Sequence, residues 1–309
     1  MKRFSVFIMI MLVAYSLRAE GNGGFAGSYL RVGLGGENIS MGNAGVAAPP
    51  NGYSYYYNPA GLPYLQEVSA NMSYSFMSLD RRFNVIGLST PLKPNAGFAL
   101  GWIYAGVGDL KSYNSIGQET GSIDHGLHAF YFSFGLQIIP NRLSVGINAK
   151  YLMEKISDED FDYQGSGVGG DLGVQYVATN WLRLGYQVKD LKSKLKSNTD
   201  EIFDRGMVKK NEFPVSNRLG AYFTSPWRWW RIAYDFEWSD AGEEKHHFGT
   251  EFVLPQVRLA TGYDNDHFTF GAGFEITTAF NIRASLNYAF VNSVVDEGAS
   301  HVFSWQFKF

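Results

Sequence analysis

The chain of 309 residues contains no cysteine, which excludes disulfide staples, thiolate metal sites and thiol nucleophiles. Charge is scarce: 18% of residues are charged, against roughly 25% in an average soluble domain. The net charge of -3 leaves no basic footprint for nucleic acid, so nucleic-acid partners are excluded. Beyond Leu17 no apolar run approaches the length of a membrane-spanning helix. With a mean hydropathy of -0.15 this rules out a bundle of transmembrane helices. It leaves a transmembrane barrel open, because barrel strands alternate polar and apolar residues and average near zero. Catalytic signatures are also missing. No G-x-S-x-G elbow occurs. Gly165, Gly167 and Gly170 satisfy G-x-G-x-x-G, but at an expected loop-to-strand junction with no helix to follow. His246 and His247 follow two glutamates, yet neighbours on a strand point to opposite faces and cannot share one ion. A Ser–His pair involving His128, His267 or His301 has no motif behind it. The sequence reads as a non-enzyme with no cofactor and no metal.

What is present begins with an export signal. Lys2 and Arg3 precede the apolar run Phe4–Leu17, and small residues allow cleavage after Ser16 or Ala19. The run is short for an anchor helix, so residues 1–19 are read as a cleaved signal peptide. Without a cysteine after it, no lipoprotein anchor is available.

After residue 66 the hydrophobic period is 2. Fourteen segments follow, most near the 9–11 residues that cross a bilayer as a tilted strand. In one of them Leu143, Val145, Ile147, Ala149 and Tyr151 alternate with Ser144, Gly146, Asn148 and Lys150. Alternation alone fits a soluble sandwich with its apolar face inward, or a barrel with that face on lipid. Three features favour the barrel. Short connections such as Pro140–Asn141 and Thr179–Asn180 alternate with a set containing the longer Val107–Asp124, Ser157–Gly167 and Asp190–Pro214. Trp181, Trp227, Trp229 and Trp230 gather at short-turn ends, and Trp102, Tyr104, Trp238 and Tyr263 near the opposite ends, as two interfacial girdles. The last segment alternates Phe303, Trp305, Phe307 and Phe309 with polar residues, which resembles the signal read by the outer-membrane assembly machinery. The expected fold is all-β: a transmembrane antiparallel barrel of about 14 strands over residues 67–309, in contact with the lipid bilayer. Its expected location is the cell outer membrane.

Residues 20–66 carry no strand pattern and are rich in glycine, so they cannot build a core of their own. They are read as a hatch or plug inside the barrel. Within them, Arg31-Val32-Gly33, then Met41-Gly42-Asn43-Ala44-Gly45-Val46-Ala47, then Tyr55–Leu62 with Asn58-Pro59-Ala60-Gly61, resemble the N-terminal signature of the FadL superfamily of outer-membrane proteins. The run is most similar to the PorV/PorQ-like branch. The resemblance implies a fourteen-stranded barrel with an N-terminal hatch. It implies that Asn58, Pro59 and Ala60 sit against an inward kink of a strand, a lateral gate for hydrophobic ligands. It implies transport of hydrophobic small molecules of the long-chain fatty-acid type. The PorV/PorQ branch implies instead a component of a type IX-like secretion system, with secretion-system proteins as partners. Read from the residues, Pro59 lacks an N–H and resists the sheet, Asn58 can satisfy orphan backbone groups, and Gly61 permits a sharp turn.

The register also points twelve charges at the lumen: Lys150, Asp171, Arg183, Lys189, Arg218, Arg231, Asp235, Glu237, Glu251, Arg258, Glu275 and Arg283. They form either a polar conduit or docking surface, or salt bridges that fill a closed lumen.

Overall fold

The computed structural model describes residues 24–157, 162–198, 207–278, 280–292 and 298–309; the export signal and its cleavage site lie outside them. The strands are β1 (Ser69–Phe76), β2 (Arg81–Leu92), β3 (Ala96–Tyr113), β4 (Glu119–Ile139), β5 (Leu143–Ser157), β6 (Asp162–Val177), β7 (Leu182–Asn198), β8 (Val208–Glu212), β9 (Ser216–Thr224), β10 (Trp230–Ser239), β11 (Glu244–Val253), β12 (Val257–Asp264), β13 (His267–Thr277), β14 (Arg283–Val291) and β15 (Ser300–Lys308). Each pairs antiparallel with its neighbour. β1 meets β15, and β7 joins both β6 and β9, so 14 strands close into a barrel. The remaining strand, β8, pairs with the far end of β7 alone.

Every one of the fourteen expected segments is a barrel strand. The expected outer loops are shorter than anticipated, because the strands run on into them. β3 to β7 are 15 to 21 residues long, whereas β9 to β15 have 8 to 11. One side of the wall therefore stands taller. Stretches such as Lys192–Asn198 are polar on the exposed face, so the period-2 contrast that marks a strand fades although pairing continues. Gly165, Gly167 and Gly170, expected at a loop junction, lie within β6.

The alternation puts apolar side chains outward: Ile147 is 53% exposed while its neighbour Asn148 is 5% exposed. An exposed apolar belt of this extent is disfavoured in water and matches hydrocarbon. Trp227, Trp229 and Phe252 stack beside the β9–β10 turn. Near the other rim Trp102 and Tyr104 pack with His128. The C-terminal strand carries Phe303, Trp305, Phe307 and Phe309 on the outward face, and Phe309 exchanges both backbone hydrogen bonds with Val68. Arg283 and Glu67 form an ion pair across the closure.

The core lies inside the barrel. Tyr29, Leu30, Leu34, Tyr53, Tyr55, Tyr56, Tyr57 and Leu62 come from the N-terminal segment and pack on wall residues such as Val85, Ile103, Tyr131 and Leu152. Among its described residues the segment has short helical turns at Ser28–Arg31, Gly36–Ile39, Ser54–Tyr57 and Pro59–Tyr64.

Candidate functional site

The N-terminal segment meets the wall over glycines. Gly97, Gly135, Gly146 and Gly173 are successive register partners across β3, β4, β5 and β6. Leu62, Pro59, Ala60 and Asn58 lie directly on this row. A Cβ at Gly97 would be 2.3 Å from the Leu62 carbonyl oxygen, and one at Gly146 would be 2.3 Å from the Pro59 carbonyl carbon. A second pair, Gly185 and Gly220, faces Val46, and a third, Gly249 and Gly262, faces Met41 and Gly42. Sequence reading missed these rows. Their signal was present: glycine recurs at inward positions of strand after strand, where a polar lumen side chain would otherwise stand.

Asn58 is held on three sides. Its amide nitrogen donates to the Val46 carbonyl at 2.7 Å and the Val174 carbonyl at 3.0 Å, and its amide oxygen accepts from Ala60 N–H at 3.0 Å. The last bond caps the turn Pro59–Tyr64, whose first residue is the proline. Ser144 donates to the Ala60 carbonyl at 2.6 Å, and Gln137 to the Pro63 carbonyl at 2.8 Å. Ala60 is fully buried, and Gly61 stands 3.4 Å from Ser54 Oγ by its would-be Cβ. The resemblance implied a kinked strand against this triplet. The β5–β6 pairs beside it run in unbroken register. Pairing breaks instead between Gln137 and Ile139 in β4, and twice between Val168 and Leu172 where β6 meets β7. There β7 carries two extra residues, with Asp190 and Lys192 at positive φ of 63° and 52°.

The stretch Met41–Ala47 is clamped by charge. Asp235 accepts from Gly45 N–H at 2.8 Å and Val46 N–H at 3.0 Å. Arg218 donates to the Asn43 carbonyl at 2.9 Å and is paired with Glu237. His247 lies 2.8 Å from Asp264, which also accepts from the Asn43 side chain. Gly42 takes a positive φ of 63°, and a Cβ there would sit 2.4 Å from the Phe248 carbonyl oxygen. That close approach explains a glycine at this position. Tyr57 donates to Asn43 at 2.8 Å and Tyr56 to the Leu30 carbonyl at 2.7 Å. Burial pushes both phenols above their ordinary pKa, so they stay neutral donors.

The charges expected in the lumen are there, and most of them pair. Lys150 bridges Asp171 at 2.6 Å and also Asp190. Glu251 accepts from Arg231 at 3.1 Å, Arg258 at 3.0 Å and Tyr222 at 2.9 Å. Glu275 stands 3.9 Å from Lys308. Lys189 and Arg183 lie on rings instead, 3.7 Å from the Tyr56 centroid and 5.5 Å from that of Tyr64. Mutual pairing, with backbone of the N-terminal segment as a further partner, accounts for the set apart from Lys189 and Arg183. His246 faces outward onto Tyr234 while His247 faces the lumen, so the two histidines serve different surroundings.

At the outer end of the low wall a cavity of about 500 Å³ opens above this clamp. Its lining is mixed: Val32, Ile39, Met77, Val291 and Val302 are apolar, and Arg31, Arg81, Arg218, Glu237, His247 and Asp264 are among the charged or titratable residues. Smaller cavities of about 170 and 250 Å³ lie near Glu37 and Arg231, toward the short-turn end.

No family model matches the chain, and no curated protein matches it. Among solved structures, the Pseudomonas putida toluene transporter TodX is similar at a TM-score of 0.62 and 13% identity, covering 89% of this chain and 98% of that one. The CymD monoaromatic hydrocarbon channel is similar at a TM-score of 0.61 and 14% identity, covering 90% and 97%. A Pseudomonas aeruginosa FadL homologue matches at a TM-score of 0.62 and 9% identity, covering 86% and 95%. At these identities the likeness is one of fold: a closed antiparallel barrel of 14 strands, built as in the FadL-type channels.

Proposed function

We propose that the protein is a non-enzymatic outer-membrane barrel, exported through a cleaved signal peptide, that takes up hydrophobic small molecules of the long-chain fatty-acid type. The N-terminal segment acts as its hatch, with Asn58, Pro59, Ala60 and Gly61 as the gate. The observation that carries this reading is the seat of the segment. It is bound to the wall through side chain-to-backbone hydrogen bonds and glycine contacts, and its Arg31, Val32 and Ile39 help line a cavity of mixed apolar and charged character. Such a lining suits a ligand with a long apolar part and a small polar head. The similar fold of channels described for toluene and monoaromatic hydrocarbons supports passage of hydrophobic compounds. The test is binding of a fluorescent long-chain fatty acid to purified protein. Val302→Trp, which fills part of the cavity, lowers affinity about tenfold, the usual order for a lost apolar contact. Unchanged affinity refutes the site.

The motif Met41–Ala47 with Tyr55–Leu62 favours a second reading, a PorV/PorQ-like component of protein secretion. Deleting the protein then stops export of secreted cargo and leaves fatty-acid uptake intact, the reverse of the outcome expected above.

A further inference from the structure

The outward face of β7 changes character partway along its length. Near the short turn it presents Leu184, Tyr186 and Val188. From the second bulge onward it presents Lys192, which lies within that bulge, then Lys194 and Lys196, because Ser193, Leu195 and Ser197 between them are buried at 3%, 2% and 2% exposure. Lys210 of β8 is the register partner of Lys196 and so shares its face. Glu212 opposite Lys194 is the acid on this face of β8. Among the described residues, none of the four ammonium groups has a carboxylate partner in an ion pair. Like charges set directly across a strand pair repel. Here they are gathered in a chain whose net charge is -3.

Their height matters. Lys192 is the eleventh residue of β7 counted from Leu182. A tilted strand crosses the hydrocarbon in about 9–11 residues. The lysines therefore begin where the apolar belt ends, at the depth of lipid headgroups on the side of the taller wall. A cationic face at that depth complements phosphate carried on lipid, and a lipid phosphate between Lys196 and Lys210 relieves their repulsion.

We propose that Lys192, Lys194, Lys196 and Lys210 form a binding surface for the phosphate groups of an anionic lipid in the leaflet around the outer end of the barrel. This rests on the reading of the barrel as a membrane protein. That reading is checked separately by insertion into vesicles and by a heat-dependent shift in gel mobility.

The experiment uses the full chain in phosphatidylcholine nanodiscs doped with diphosphoryl lipid A, with lipid retained per barrel read by native mass spectrometry. The parent retains lipid A, and the retention falls when the lipid is dephosphorylated or salt is raised. Each lysine replaced by glutamine weakens retention about five-fold, and the quadruple variant Lys192→Gln, Lys194→Gln, Lys196→Gln, Lys210→Gln weakens it by nearly three orders of magnitude, roughly the product of the four. Glu212→Gln strengthens it. Equal retention by parent and quadruple variant, with both inserted and heat-modifiable, overturns the proposal. So does displacement of lipid A by inorganic phosphate at equal concentration, which would make the face a site for free anions.

Discussion

Asn58 rests on Gly173, so closely that a Cβ built on the glycine would lie 2.1 Å from the asparagine amide oxygen. The same oxygen caps the Pro59–Tyr64 turn, and the amide nitrogen ties the segment to β6 through Val174. Wall and segment are therefore fitted at one point by a missing side chain on one partner and a forked polar one on the other.

Two substitutions at this point should act in opposite directions. Asn58→Ala leaves the Val46 carbonyl and the Ala60 N–H without their partner, at a cost of about 1–3 kcal/mol locally. The segment loosens, and leak of small solutes through proteoliposomes rises. Ala60→Trp puts a large ring where the residue is fully buried beside Gly146. Uptake of a hydrophobic probe falls while the barrel still forms, as judged by heat-dependent gel mobility. If neither leak nor uptake changes, the triplet is a turn and nothing more.

Asp235→Ala removes the shared acceptor of Gly45 and Val46 N–H. Two buried donors are orphaned, at about 1–3 kcal/mol each before relaxation. Hydrogen exchange at these two amides should accelerate by at least tenfold, with the amides of β10 itself unaffected. Parent-like protection at Gly45 and Val46 would show that the carboxylate does not hold the segment.

Phe309→Ala should lower the amount of protein in the outer membrane of cells more than it lowers the stability of refolded protein. The ring is 55% exposed on the outward face, so its loss forfeits at most a few kcal/mol of apolar burial. Its backbone pairing with Val68 does not depend on the side chain. Equal insertion of parent and variant in cells would remove the terminal aromatic from the assembly signal.

The barrel was legible because lipid-facing strands keep a strict alternation: Val145, Ile147, Ala149 and Tyr151 could point only one way once Ser144, Asn148 and Lys150 pointed the other. The ends of β3 to β7 were not legible, since polar residues on the outer face there remove the contrast that alternation needs. The lumen charges were found by register, but not their partners. Pairing of Lys150 with Asp171 follows from neighbouring strands, whereas its pairing with Asp190 depends on the bulge that turns Asp190 inward. The clamp on Met41–Ala47 was hidden for a different reason. Asp235 and Arg218 bind backbone groups of a segment some 170 to 190 residues away in sequence, and backbone groups carry no residue signature.

Under the proposed function, a lumen occupied by its own N-terminal segment passes hydrophobic molecules and excludes hydrophilic ones. The direct measurement sets two fluxes side by side in proteoliposomes of the parent protein: entry of a fluorescent long-chain fatty acid, and swelling in a small sugar. Fatty-acid entry should run well above that of protein-free vesicles, with sugar swelling no faster than in them. Rapid sugar swelling without enhanced fatty-acid entry would contradict it.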